Sequence, residues 1–438
     1  MRATIHESNI TRAIWLIALA GGLALRLYMV AQPPIITPDS TDRYEPQARQ
    51  ILAGRSIVRF AASTGAIRVN QPGYPYFLAA VYSVAGESRR AVVIAQALLE
   101  ALTVIIFLIL ARRADLAPLS RAVVAAIVLL CPVLPLLARA IWSETLATAA
   151  LALTVLAALA AVRNGRATAW ILAGAGLALC WLIRPDFLPT IISLSAAMLM
   201  ICGRALPFGR AALAAVAFAA TLTPWLAQNY IQLGKIAPLN AYGDILEHPY
   251  VRWLDTWVDD VSQLAPYWWY PRDPASPSTF PSDKVIDPEE RALAEAALAQ
   301  ARATESLKIE PVNKTFDALG AKARRERPFR TFVVVPLRRV ASTWLNLAGY
   351  AKSSAVRTAW ILLLLAALAG ACWGLRHRFD ITLLLLAIVI GRSAPPAAFA
   401  IAVEPRLVVE ALPAVFIFAG FLFEAGRRRL SAAAAGAA

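Results

Sequence analysis

The chain is poor in charged residues and in histidine. Charged residues make up 16% of its 438 residues, and histidine occurs three times, at His6, His248 and His377. Soluble domains ordinarily carry about 25% charged residues, so the composition excludes a soluble enzyme. The scattered histidines favour neither a histidine-based zinc site nor a Ser-His-Asp triad. The sequence also has no Walker-type Gly-Lys loop, which excludes an ATP-driven transporter.

Apolar residues dominate what is present. Hydrophobic residues account for 59% of the chain, and the mean hydropathy is +0.59. A helix of about 20 apolar residues crosses the hydrocarbon core of a bilayer, and apolar segments of this kind recur along the sequence. The composition therefore predicts an all-α polytopic membrane protein.

Ten apolar segments are predicted to be membrane helices. They lie at about 12 to 31, 91 to 110, 120 to 137, 145 to 162, 167 to 183, 187 to 202, 210 to 227, 355 to 374, 380 to 398 and 407 to 425.

The basic excess indicates membrane orientation. The formal net charge is +15, and most arginines lie in short stretches between predicted spans. With the N-terminus in the cytoplasm, the arginine clusters at 112–121, 163–166, 204–210, 376–378 and 427–429 all fall on the inner side. This is the positive-inside pattern, so we expect no nucleic-acid partner.

Two long segments, 32 to 90 and 228 to 354, fall on the opposite, outer side of the membrane. The first contains a predicted short helix from Thr41 to Gly54, and the second holds all six lysines and an aromatic cluster. We therefore expect a transmembrane catalytic module over residues 1–227, a small outer subdomain over 228–354, and C-terminal membrane helices with a basic tail over 355–438.

Asp39 follows the first predicted span, in the segment Pro38-Asp39-Ser40-Thr41-Asp42. A carboxylate at the outer membrane surface can deprotonate a hydroxyl or an amine, or hold a metal ion. The alternative is that Asp39 or Ser40 caps the helix that begins at Thr41.

Glu144 lies in a short outer loop, after Arg139 and at the start of the predicted fourth span. An acid and a base in so short a loop between apolar helices suggest a functional pair. Equally, Glu144 can stabilise the helix through its favourable position at the positive end of the macrodipole.

Four arginines oppose the charge bias because they lie on the outer side, each at a helix end. They are Arg139, Arg184, Arg392 and Arg406. A guanidinium can bind a phosphate through two parallel hydrogen bonds. The ordinary alternative is an ion pair, between Arg184 and Asp186 or between Arg406 and Glu404.

Gln96 and Glu100 lie one helical turn apart in the second predicted span. A charge at such depth is a functional hypothesis by default, although a hydrogen-bonded neutral acid is an equal alternative. A polytopic transporter or lipid-linked sugar flippase would use Glu100 and the outer arginines as a substrate path. Its expected hallmarks, short loops and polar residues at the midplane of several helices, are not found in the sequence.

Several motifs follow one another along nearly the whole chain. They are Pro38-Asp39-Ser40 with Tyr44, Gln71-Pro72-Gly73-Tyr74-Pro75, Ser143-Glu144-Thr145, Ile183-Arg184-Pro185-Asp186, Thr223-Pro224-Trp225 with Gln228-Asn229-Tyr230, and a weaker Pro405-Arg406 with Pro413. Their order and spacing resemble those of the GT-C superfamily of membrane glycosyltransferases, in particular the protein mannosyltransferase and aminoarabinose transferase-like family (glycosyltransferase family 39-like).

The resemblance implies a GT-C fold and an inverting glycosyl transfer. The donor would be a sugar on a polyprenyl-phosphate carrier, and the acceptor a glycan, lipid or protein of the cell envelope. Membrane lipids would surround the chain in the bacterial inner membrane, with the active site on the periplasmic side.

The resemblance also implies roles for single residues. Asp39 would be the general base, and Glu144 would orient the base or the acceptor. Arg184 and Arg406 match positions that can neutralise the donor phosphate, and Arg139 joins them as an outer arginine beside the Glu144 loop.

Substrate contacts are predicted for Tyr44, Tyr74 and Asp42, which belong to or adjoin the first two motifs. For Tyr74 the favoured alternative is a place at the lipid interface, where Tyr is enriched. Many relatives carry an Asp-Glu or Asp-X-Asp pair at the first motif, whereas Ser40 follows Asp39 in this chain. No metal ligand is therefore assigned, and a divalent metal ion stays an open alternative.

Overall fold

The computed structural model describes residues 2–58, 71–203, 207–234, 248–268, 277, 279–304, 309–346 and 353–436. Within these ranges the chain is helical, and the only β contact is a single bridge between Ile35 and Ala140. The all-α prediction is confirmed. The chain forms two compact units, the first made of 1–240, 358–392 and 409–438, and the second of 241–357 and 393–408.

Among the described residues, the first unit begins with ten α-helices. They are α1 (Arg2–Ala31), α2 (Glu45–Leu52), α3 (Gly73–Ala85), α4 (Arg89–Arg113), α5 (Pro118–Leu130), α6 (Val133–Ala138), α7 (Glu144–Asn164), α8 (Ala167–Ile183), α9 (Leu188–Cys202) and α10 (Phe208–Leu233).

Later helices belong to one unit or connect the two. They are α11 (Pro249–Leu254), α12 (Val261–Trp268), α13 (Pro288–Ala303), α14 (Glu310–Glu326), α15 (Val335–Leu345), α16 (Ser354–His377), α17 (Phe379–Ala398) and α18 (Leu412–Gly436).

Each predicted span coincides with an apolar helical segment. Among the described residues, nine segments are long and apolar enough to cross a membrane, and the shorter α8 is the tenth. The segment predicted at 120 to 137 is divided into α5 and α6, because Pro132 cannot continue a helix and holds Cys131 in an extended conformation. The chain is therefore a multi-pass membrane protein.

The boundaries of the two units differ from the domain boundaries predicted from the sequence. The predicted subdomain at 228–354 overlaps the second unit, but that unit also includes 393–408. Sequence order could not show this, because the added stretch lies after two membrane helices. Its Ala400 packs in the aromatic core of the unit with Trp253, Trp257 and Phe316.

Small residues allow close helix contacts in the first unit. A Cβ added at Gly174 in α8 would collide with the backbone carbonyl of Ala214 in α10, and one added at Gly370 in α16 would collide with the carbonyl of Phe418 in α18. Such contacts are typical of membrane helices, where van der Waals packing replaces the hydrophobic effect as the force between helices.

The arginine clusters lie at the end of the helices opposite to Glu144. α7 has 21 residues, a length of about 31 Å, and its last turn carries Arg163. This guanidinium pairs with Asp380 at 2.5 Å and donates to the carbonyl of Arg113 at 2.6 Å. The two ends of the unit therefore differ in charge, as the positive-inside pattern predicts.

We predict that Gly174→Ala destabilises the first unit. A backbone carbonyl cannot move aside as a side chain can, so α8 and α10 must separate, at a cost of about 1–3 kcal/mol. Thermal unfolding of the purified protein in one detergent measures this as a lower midpoint. The control is Gly209→Ala, where an added Cβ meets nothing within 4 Å. A Gly174→Ala midpoint equal to that of the control contradicts the prediction.

Candidate active site

Two chain segments meet where the first motif lies beside the Glu144 loop. The Ile35 amide donates to the Arg139 carbonyl at 3.0 Å, and the Ile141 amide donates to the Ile35 carbonyl at 3.2 Å. The buried Ser40 hydroxyl donates to the Ile141 carbonyl at 3.2 Å. These bonds hold the residues around Asp39 against the start of α7.

Asp39 begins a π-helical turn, Ser40–Tyr44, which continues into α2. Its backbone is already helical, and its side chain makes no capping hydrogen bond. The alternative of a side-chain cap by Asp39 is therefore wrong. The carboxylate instead pairs with Arg43, Oδ1 to Nη1 at 2.8 Å, and its side chain is 22% exposed.

The short helix α2 is anchored by Glu45. This buried carboxylate receives two hydrogen bonds from Arg89 at the start of α4, at 2.7 and 2.8 Å. A bidentate pair of this kind sets orientation as well as distance. The turn that carries Asp39 is thus held from both of its ends.

Tyr44 connects Asp39 with Glu144. Its hydroxyl lies 3.4 Å from Ser143 Oγ. Burial raises the pKa of the Tyr44 phenol well above its usual value, and the negative charges of Glu144 and Asp39 raise it further. Tyr44 therefore stays protonated, so it can donate a hydrogen bond but cannot act as the base.

Tyr74 lies behind Tyr44 and is fully buried. The two rings meet edge to face at 4.7 Å, and the Tyr74 hydroxyl donates to Gln96 Oε1 at 2.8 Å. Gln96 in turn donates to the carbonyls of Ala138 and Ala140 at 2.9 and 2.6 Å. The predicted direct contact of Tyr74 with a substrate is not supported, because the ring has no exposed face. It positions Tyr44 instead.

Glu144 is buried, and Arg184 is its partner. The two side chains pair at 2.8 Å between Glu144 Oε1 and Arg184 Nη1, with Glu144 only 2% exposed. Arg184 is placed here because α8 ends at Ile183 and a 3₁₀ turn begins at Pro185, so Arg184 lies in the break between the two. The sequence prediction that Glu144 and Arg184 share one site agrees with this geometry.

A second arginine and two further acids complete a buried ion-pair cluster. Asp186 binds Arg184 through both oxygens at 3.0 and 3.1 Å, and it binds Arg392 Nη2 at 2.7 Å. Glu410 lies 3.2 Å from Arg392 Nε and 3.7 Å from Arg184 Nη1. Two guanidiniums thus face three carboxylates, including Glu144.

The ion pair of Arg184 with Asp186, the ordinary alternative to phosphate binding, is present in the structure. So is the pair of Arg406 with Glu404, which lies in the second unit. Both arginines therefore have carboxylate partners in this state, and their role as phosphate ligands stays a prediction.

Arg139 lies at the end of α6 and lines a pocket with Arg26 and Glu100. Its Nε is buried and has no hydrogen-bond acceptor among the described residues. Glu100 pairs with Arg26 through both oxygens, at 2.8 and 2.6 Å. The intramembrane acid is thus neutralised by a basic residue of the first span, which the sequence analysis did not anticipate.

The described residues contain no group of three or more His, Cys, Asp or Glu side chains that could hold a metal ion. In the first motif, Asp39 pairs with Arg43, and the exposed Asp42 accepts a hydrogen bond from the Thr41 hydroxyl at 2.8 Å. The described residues place no third ligand of this kind beside the two acids, and a divalent metal ion stays an open alternative.

Glu410 was missed by the sequence analysis. It lies within the apolar segment predicted at 407 to 425, and the rule that drew attention to Glu100 applies to it equally. Arg392 was noticed only as an outer arginine, because its partners come from the turn before α9 and from the turn before α18.

One family model matches part of the chain. Residues 69–228 match the model of the dolichyl-phosphate-mannose-protein mannosyltransferase family. This range contains Tyr74, Glu144 and Arg184, whereas Asp39 precedes it. The match confirms the predicted resemblance to GT-C glycosyltransferases. No curated protein matches the chain at a significant level.

Two solved structures of ArnT from Cupriavidus metallidurans are similar to the chain. The complex of ArnT with undecaprenyl phosphate is 16% identical, with a TM-score of 0.43, and the match covers 94% of this chain and 77% of that one. The apo state is 13% identical, with a TM-score of 0.41 and coverages of 93% and 76%.

We predict that the cluster depends more on Arg392 than on Glu410. Arg392→Met leaves one guanidinium among three carboxylates, and breaking a buried pair in this way costs about 3–5 kcal/mol. Glu410→Gln leaves two guanidiniums and two carboxylates, so its cost should be much smaller. Thermal unfolding in one detergent compares the two variants directly. A Glu410→Gln variant as unstable as Arg392→Met would contradict this charge argument.

Proposed function

We propose that this chain transfers a sugar with inversion from a polyprenyl-phosphate carrier to a cell-envelope acceptor. The family match over residues 69–228 supports a membrane glycosyltransferase. The name of the matched family supports the donor class, because dolichyl phosphate is a polyprenyl phosphate. The acceptor is a glycan, lipid or protein at the extracytoplasmic face.

One observation carries the assignment of the base. Asp39 keeps 22% of its side chain exposed, whereas Glu144 is 2% exposed and Glu410 is fully buried. Asp186 is partly exposed, but both Arg184 and Arg392 hold it. Of these four acids, Asp39 is therefore the one that an acceptor hydroxyl can best reach.

In the proposed step the acceptor oxygen attacks the anomeric carbon of the sugar. Asp39 takes the proton from that oxygen, and the bond between the anomeric carbon and the phosphate oxygen breaks, so that polyprenyl phosphate leaves with the bonding electrons. A leaving phosphate needs positive charge and no proton, because it is already a weak base. Arg43 pairs with Asp39 and is the nearest cation to it in the motif.

Glu144 supports the base through Tyr44 and Ser143. The Tyr44 phenol stays protonated between the two acids, and Ser143 lies within 3.4 Å of both Tyr44 Oη and Arg184 Nη1. A chain of this kind fixes the turn at Asp39 without itself accepting a proton. We assign Glu144 to positioning and Asp39 to proton transfer.

Charge supports a periplasmic location. The Asp39 and Glu144 end of the first unit lies opposite the arginine clusters at Arg113, Arg163 and Arg378. Basic residues favour the cytoplasmic side of the membrane. We therefore propose that the site lies at the outer face of a bacterial inner membrane.

The transporter or flippase alternative loses its main support. It used Glu100 as part of a path through the membrane, but Arg26 binds both oxygens of this carboxylate. A substrate would have to break a bidentate ion pair to use it. The family match favours the transferase independently.

Asp39→Asn is expected to lower transfer at least 100-fold, because a general base typically contributes 10²- to 10⁴-fold and an amide cannot take the proton. Mass spectrometry of lipid-linked sugars and envelope glycans, in cells lacking the protein and complemented with each variant, measures this. The control is Glu87→Gln, an exposed outer acid paired with Arg49, which should restore the wild-type profile. Full rescue by Asp39→Asn would refute the assignment of the base.

Arg139→Gln is expected to raise the KM for the donor about tenfold, with little change in the KM for the acceptor. Losing one phosphate contact removes about 1.4 kcal/mol or more. The assay uses the polyprenyl-phosphate sugar that accumulates in cells lacking the protein. Arg90→Gln, an exposed arginine bonded to the Gln32 carbonyl, is the matched control. A change confined to the acceptor KM would argue against phosphate binding by Arg139.

A further inference from the structure

The second unit carries a helical segment with an apolar outer face. A π-helical turn, Arg330–Val334, continues into α15. The most exposed apolar side chains of this segment are Phe329 at 70%, Phe332 at 62%, Leu337 at 65% and Leu345 at 41%.

The buried face of the same segment mixes polar and apolar residues. Thr331, Arg339 and Thr343 are nearly or fully buried, together with Val335 and Trp344. Arg339 donates from Nε to the Val258 carbonyl at 2.6 Å and also to the Asp255 carbonyl. A helix that faced water would place its polar residues outward and would not expose a row of large apolar side chains. The outer face of this helix is therefore built for apolar surroundings.

The covalent chain keeps this helix near the membrane. α15 ends at Leu345, and the membrane helix α16 begins at Ser354. Nine residues span at most about 30 Å even when fully extended. The apolar face of α15 thus lies within one bilayer thickness of a helix that enters the lipid.

Positive charge flanks the apolar face. Residues 324–339 contain six arginines and one glutamate, and the side chains of Arg325 and Arg338 are 81% and 63% exposed. Apolar side chains on one face and arginines beside it are typical of helices that lie in a membrane interface. Anionic lipid headgroups attract such arginines.

We propose that residues 329–345 form an interfacial anchor, which lies along the outer leaflet with Phe329, Phe332, Leu337 and Leu345 toward the acyl chains. Arg325 and Arg338 bind anionic headgroups at its edge. This anchor holds the second unit on the membrane surface independently of the α16 span. The proposal does not rest on the transferase assignment.

Spin labels in the full-length protein test the proposal. Cysteine is introduced as Phe332→Cys, Leu337→Cys or, as the control, Lys314→Cys, with the four native cysteines replaced by alanine. Lys314 is 75% exposed on α14 of the same unit. The labelled protein is reconstituted in phosphatidylcholine bilayers with and without phosphatidylglycerol. Collision rates with oxygen and with a water-soluble nickel chelate then report depth.

The labels at 332 and 337 are expected to collide with oxygen several-fold more, and with the nickel chelate several-fold less, than the label at 314. Equal accessibility at all three positions would show that the face is covered by water and would overturn the proposal. Dipolar broadening between labels at 332 on neighbouring copies would show that a second chain covers the face, with the same consequence.

The role of the arginines is tested by phosphatidylglycerol. This lipid should move the labels at 332 and 337 deeper, and the shift should be lost in the double variant Arg325→Gln, Arg338→Gln. A shift of the same size in that variant would overturn the assignment of these two arginines. Transfer activity is not used as a readout, so failure here leaves the proposed function untouched.

Discussion

The buried cluster of two guanidiniums and three carboxylates is the constraint on which the site depends. Arg184 and Arg392 join four parts of the first unit: the start of α7, the turn before α9, the helix α17 and the turn before α18. Charges removed from water are costly unless they are paired with good geometry. All of these elements must therefore be in place before the charges of the five side chains are fully paired. The close contact of Gly174 in α8 with the Ala214 carbonyl in α10 supports the same arrangement of helices.

Burial separates the roles of the acids. Glu144 and Glu410 have lost access to water and hold guanidiniums, whereas Asp39 lies at the surface of the cluster on a turn held by Glu45 and Ser40. Tyr44 links Asp39 to Glu144, because its phenol lies among the charges of Asp39, Glu144 and Arg184 and stays protonated. A reactive carboxylate needs this contrast, since it must be accessible while its supports are not.

The sequence predicted the parts of the structure that depend on local pattern. Membrane helices follow from apolar length, and Asp39, Glu144 and Arg184 became candidates because each lies at a helix end on the side away from the arginine clusters. Contacts between distant segments could not be predicted in this way. The partners Arg392 and Asp186 are 206 positions apart, and the Arg26 that neutralises Glu100 lies in another span. Nor does apolar content alone show that α15 buries Arg339 and exposes Leu337 and Leu345, because that requires knowing which side faces the unit.

The charge of the cluster bears on where a donor phosphate can bind. With all five groups ionised, its two cations and three anions sum to −1. In that charge state the cluster repels a further anion. Arg184 is also the member with most partners, since Glu144, Asp186 and Glu410 all lie within 3.7 Å of it. Its strongest physical role is therefore to hold Glu144 and the adjoining turn in place. Arg139, whose Nε has no acceptor among the described residues, carries positive charge that is not committed in this way. The two arginines thus differ, since Arg184 fixes the geometry of the Glu144 loop and Arg139 offers charge.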